Sequence, residues 1–168
     1  MHPASDTRSK SIEPDSVLPQ SAWPDVLAKT VVEVFSTMVG AAVTPMEAAP
    51  AGPMCLTGMV GIAGATRANF ILRCSDEAAS DLAAQMLGIP SDDPGSRKAA
   101  HDALGEVCNI VAGYFKAKVG LGEACKLSVP TIISGRDYCF HSRNTYDRLE
   151  LSVAYEKHTL QAVLEIAR

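Results

Sequence analysis

The sequence predicts an α+β fold: a single domain in which three helices pack on a largely antiparallel sheet of about six or seven strands. Three observations carry this. Apolar residues recur at helical spacing in three stretches and alternate with a period near two in most of the rest. The order is helix, three strands, two helices, four strands, without the regular βαβ alternation of a parallel sheet. The chain has 168 residues, 47% of them hydrophobic, which is enough for one buried core.

Residues 1–20, "MHPASDTRSKSIEPDSVLPQ", are polar and rich in Ser, Pro and Asp, and read as a disordered tail, leaving 21–168 as the folded domain. "SAWPDVLAKTVVEVFSTMVG" opens that domain as a helix. Ser21 is its candidate cap, Pro24 sits in the first turn, and Leu27, Val31, Val34, Phe35 and Met38 form its apolar stripe before Gly40 stops it. "AAVTPME" reads as a short strand whose Pro45 confines it to an edge or a bulge. "MCLTGMVGIA" and "TRANFILRC" read as a hairpin turning at Ala63-Gly64. In the second helix, "SDEAASDLAAQMLG", Ser75 caps the start, Asp76 and Glu77 suit the positive end, and Gly88 closes it. After the loop "IPSDDPGS" the third helix is expected from about Arg97 to Val119. "ACKLSVPTII", "DYCFHS", "RLELSVAYEK" and "TLQAVLEIAR" are the four remaining strands, the last two a hairpin around Lys157-His158.

Composition narrows the function. The net charge is −4 and no basic run exceeds two residues, so the footprint of a nucleic-acid binder is missing. No apolar run reaches the roughly 20 residues that span a bilayer, and the N-terminus has no leader-like core segment, so a cytoplasmic protein without membrane insertion is expected. Five cysteines (Cys55, Cys74, Cys108, Cys125, Cys139), without a CxxC pair and in apolar surroundings, read as reduced core residues. The four histidines are scattered, and no metal site is expected. Phosphate-loop, GxGxxG and GxSxG motifs do not occur.

The chemically pointed stretch is "HDALGEVCNIVAGYFKAKVG", residues 101–120. At about 100° per residue, Leu104, Val107, Cys108, Val111 and Phe115 cluster in one sector, the buried face. Asp102, Glu106, Asn109 and Gly113 advance by four, three and four residues and stack in a second line roughly opposite. Polar residues opposite a core stripe are ordinarily a solvated face. Here the line carries Asn109 and Gly113, both unfavourable inside a helix, so it reads as a surface that something approaches. A carboxylate and a carboxamide make no nucleophile. A carboxamide can, however, hold a water in line with an already reactive acyl phosphate, while a carboxylate one turn away grips a cation at the partner's phosphate site.

Asp102-x-x-x-Glu106-x-x-Asn109, with Gly113 and the downstream Pro130, resembles the signature of the CheC/CheX/FliY group of chemotaxis phosphatases, most closely its CheX-like domains. The resemblance extends over "VVEVFSTMVG", "GMVGIAGATRANFIL" and "LSVPTIISGRDY", and so over residues of about 25 to 168. It implies dephosphorylation of the aspartyl phosphate of a CheY-like response-regulator receiver domain in two-component signalling. Glu106 would grip the receiver's lysine and Asn109 would orient the attacking water, with Asp102 and Gly113 in supporting, partner-facing roles. It implies a homodimer, and no cofactor from this chain, the receiver carrying its own Mg2+. Relatives with two motifs carry the other on the first helix. Here that stretch is Glu33-Val34-Phe35-Ser36, with serine in place of the amide, so one site per chain is expected. Two alternatives stand beside the phosphatase: a non-catalytic module of the same fold docking a receiver or motor-switch component, and an unrelated interaction protein whose ridge is merely solvated.

Overall fold

The computed structural model describes residues 17–47, 52–135 and 146–168. The expected strand at 137–142, Cys139 and residues 1–16 of the expected tail lie outside the described residues. Helix α1 (Trp23–Val34) leads into a five-residue π turn, Phe35–Val39, and Gly40 ends it in the left-handed region at φ 77°. Strands β1 (Val43–Met46), β2 (Leu56–Gly64) and β3 (Ala68–Cys74) follow, then helices α2 (Asp76–Leu87) and α3 (Pro94–Lys118). Among the described residues four strands follow: β4 (Cys125–Leu127), β5 (Thr131–Ser134), β6 (Tyr146–Tyr155) and β7 (His158–Ala167).

These seven strands form one antiparallel sheet in the order β1-β6-β7-β3-β2, with β4 and β5 both pairing along the outer side of β2. The α+β architecture with three helices therefore holds. Alternation decides the faces. Leu56, Val60 and Ile62 of β2, Phe70 and Leu72 of β3, and Leu160, Ala162 and Leu164 of β7 join Leu27, Val31, Leu82, Leu104, Val111 and Phe115 of the helices in a single core. Trp23 and Phe115 meet edge to face at 5.5 Å, pinning α1 to α3. Such a pair contributes about 0.5–1.5 kcal/mol beyond its burial. Among the described residues no helix is long and apolar enough to cross a membrane.

Local chemistry explains the boundaries. Ser75 accepts the Ala78 amide at 3.1 Å as the cap of α2, and Gly88 ends that helix in the left-handed region. Pro45 sits on β1, at the sheet edge, where a missing donor costs no ladder bond. Several expectations need correction. Ser21 is not a cap: it lies in the 3-10 turn Gln20–Ala22, and Ala22 stands at the cap position of α1 without a side-chain bond. Met38 is 47% exposed, because the wider π turn rotates Val39 rather than Met38 onto the core. Helix α3 begins three residues earlier than expected, with Asp93 accepting the Gly95 amide at 2.7 Å and Pro94 in the first turn. The β2–β3 turn is not at Ala63-Gly64. Both residues still belong to β2, paired with β4, and a β-carbon on Gly64 would lie 2.0 Å from the Ala124 carbonyl oxygen. The β6–β7 turn is Glu156-Lys157, closed by the Tyr155–His158 pair. "ACKLSVPTII" is two strands, β4 and β5, interrupted at Ser128–Pro130.

Candidate functional site

Helix α3 positions the ridge. Its 25 residues extend over about 37 Å. Leu104, Val107, Cys108, Val111, Ala112 and Phe115 are fully buried, and each of the larger side chains contributes about 1.5–3 kcal/mol by leaving water. With that stripe fixed, Asp102 and Glu106 are exposed, and Asn109 and Gly113 are half-buried. Glu106 and Asn109, three residues apart, are side-by-side neighbours on one ridge, with β-carbons about 5–6 Å apart. Neither they nor Asp102 hydrogen-bond or ion-pair with any described residue, and Asp102 and Glu106 are open to solvent.

The flank of the ridge is built by the chain's own strands. A methyl on Gly105 would lie 3.4 Å from Pro130 Cβ, and one on Gly113 would lie 3.7 Å from Leu127 Cδ1. Residues 127–130 therefore run alongside α3 from Gly113 back to Gly105, and their middle is level with Asn109, one turn from each glycine. Lys116 closes the end of the ridge, its ammonium donating to the carbonyls of Gly122 (2.7 Å) and Cys125 (2.9 Å).

Cys108, inside the motif, is fully buried, and burial together with the neighbouring Cys74 pushes its thiol far above the ordinary range. It has no reactive thiolate to offer. The other described cysteines, Cys55, Cys74 and Cys125, are also free and buried. Among the described residues no three His, Cys, Asp or Glu side chains converge as metal ligands. A cleft of about 550 Å3 lies between α2 and the first turns of α3, lined by Ser80, Asp81, Arg97, His101 and Lys157 among others. Glu106 and Asn109 do not line it.

The corresponding stretch of α1 differs in kind. Glu33 is ion-paired with Lys118 of α3, and Ser36 is exposed within the π turn. Its acid is engaged inside the chain where Glu106 is open. Sequence reasoning missed the Ser128–Pro130 wall. The signal for it was Gly105, a second glycine inside the helix and immediately before Glu106.

The described residues thus present an exposed acid and a half-buried amide on one side of a helix whose other side is core, in an α+β fold of three helices on a seven-stranded antiparallel sheet. Residues 56–153 match the model of the family described as chemotaxis phosphatase CheX, and the chain belongs to that family. A relative from Thermotoga maritima, named CheY-P phosphatase CheX, is 30% identical over 106 residues, which cover 62% of this chain and 68% of that protein. The fold is similar to the crystal structure of chemotaxis protein CheX from Vibrio vulnificus, with a TM-score of 0.69, 19% identity, and coverage of 89% of this chain and 97% of that one. It is likewise similar to a chain in the CheX-CheY-BeF3-Mg2+ complex from Borrelia burgdorferi, with a TM-score of 0.70, 17% identity, and coverage of 87% and 98%.

Proposed function

We propose that this chain is a phosphatase acting on the aspartyl phosphate of a CheY-like receiver domain. The observation that carries this is the ridge itself: Glu106 and Asn109 stand together, outward and unengaged, on a helix whose opposite side is the core. The naming of the Thermotoga maritima relative and the receiver in the Borrelia burgdorferi complex support it.

The chemistry follows from what an amide and an acid can do. In the bound state Asn109 accepts a hydrogen bond from one water through its carbonyl oxygen and donates one to the water oxygen through its NH2 group. This holds the water in line with the bond between phosphorus and the aspartyl oxygen. The water oxygen bonds to phosphorus, the bond to the aspartyl oxygen breaks, and the receiver's carboxylate leaves with the electron pair while inorganic phosphate departs. Glu106 does not approach the phosphoryl group, because like charges repel. It pairs with the receiver's lysine and so fixes Asn109 over phosphorus. Asp102 and Gly113 supply partner-facing surface at the two ends of the ridge. The Mg2+ that neutralises the phosphoryl oxygens belongs to the receiver.

The test is timed phosphate loss from phosphorylated receivers mixed with the purified chain. Asn109→Ala is expected to lower the accelerated rate about 100-fold or more. Glu106→Ala is expected to raise the receiver concentration needed. Wild-type rates from Asn109→Ala would refute the water-positioning role. Receiver binding without acceleration would make the chain a docking module. A homodimer acting in the cytoplasm completes the proposal, and sedimentation of the full chain checks its oligomeric state.

A further inference from the structure

The interruption between β4 and β5 is held in place by specific bonds. The Ser128 amide donates to the Gly61 carbonyl at 2.8 Å, and the Ser128 hydroxyl oxygen accepts the Gly61 amide at 2.9 Å. The same hydroxyl donates to the Val129 carbonyl at 2.9 Å. Pro130 restricts the backbone from the other side and lies against Gly105 of α3. This clamped segment carries Val129, which at 83% exposure is the most exposed of the large apolar residues described.

A lone exposed valine is ordinary. What distinguishes this one is its place: Leu127 faces Gly113 and Pro130 faces Gly105, the glycines one turn to either side of Asn109, and Val129 lies in the stretch between those two contacts. A standard protein partner covers about 800 Å2, a patch reaching roughly 16 Å from its centre. A folded receiver that brings an aspartyl phosphate to Asn109 therefore also covers Val129.

We infer that Val129 is a specificity-determining contact of this site, meeting an apolar or aromatic side chain beside the phosphorylated aspartate of the receiver. This rests on the phosphatase reading of the ridge. Because Ser128 and Pro130 fix the backbone before the partner arrives, the contact costs little ordering on binding. Its effect falls on recognition and leaves the chemical step alone, since Val129 has no group to give to water or phosphate.

The experiment is steady-state dephosphorylation of CheY-like receivers charged with phosphoramidate, comparing wild type, Val129→Ala, Val129→Asp, Val129→Leu and Asn109→Ala, with Tm measured for each. Val129→Asp is expected to raise KM about tenfold or more with kcat and Tm unchanged, Val129→Ala to raise it less, and Val129→Leu to stay near wild type. If Asn109→Ala loses acceleration while Val129→Asp keeps the wild-type KM, this inference fails and the phosphatase reading stands. A fall in kcat at constant KM also overturns it. If the wild-type chain accelerates phosphate loss from no receiver, the phosphatase reading fails and this inference with it.

Discussion

Gly58 of β2 and Cys108 of α3 interlock: a β-carbon on Gly58 would lie 2.5 Å from the Cys108 sulfur and 3.2 Å from Leu104 Cγ. The sulfur occupies the space a side chain would take, and this sets how closely the helix lies on the sheet. Gly58→Ala should therefore cost about 1–3 kcal/mol through overpacking. Adding Cys108→Ala should recover part of that loss, because the two changes share one space. Denaturant unfolding of the two single variants and the double variant measures the coupling, and strictly additive losses would contradict the contact.

The two sides of α3 should respond oppositely to substitution. Val111 is fully buried, and Val111→Asp places a charge among apolar side chains, so the domain should lose its cooperative unfolding transition. Asn109→Ala replaces a poor helix former on the open side and should leave stability unchanged or raise it by a few tenths of a kcal/mol. Circular dichroism during heating distinguishes these outcomes.

Glu33 tests whether the first helix retains a second site. Its partner is Lys118, and the two side chains are 45% and 33% exposed, so the pair contributes about 0–1 kcal/mol. Glu33→Gln should leave receiver dephosphorylation at the wild-type rate. A loss comparable to that of Glu106→Ala would mean that α1 also takes part.

Asp81 gives the stability a pH dependence. Burial alone would raise its carboxyl, but hydrogen bonds from His158, at 2.7 Å, and Lys157 outweigh that and hold it below the ordinary value. A lowered folded-state value means that its contribution is complete above the unfolded value of about 3.9 and is lost as pH falls through the lower, folded one. Tm should drop as the pH falls below about 4 toward the folded-state value, and Asp81→Asn should flatten that drop. An unchanged profile in the variant would exclude Asp81 as a source.

What the sequence revealed, and what it hid, follows from where each signal resides. The bounds of α2 were legible because Ser75 and Gly88 act on their own turns. The ridge was legible because helical period alone fixes the sector of Glu106 and Asn109 once Leu104, Val107 and Val111 point inward. The start of α3 was recorded in Asp93-Pro94 but was obscured by the turn-forming residues around it. Gly64 looked like a turn, whereas its lack of a side chain serves the close approach of Ala124, just before β4. The break at Ser128–Pro130 was hidden inside an apolar run, because Gly61, which holds it, is far away in the chain. Whatever depended on a distant partner was out of reach.

The deep anchoring of α3 also bears on motion. A helix fastened along one entire side has no partial opening available to it, so its amide hydrogens should exchange with solvent only when the whole molecule unfolds. The backbone that carries the acid and the amide is consequently held as firmly as the core it rests on. Under the phosphatase proposal, warming should therefore abolish activity and structure at one and the same temperature.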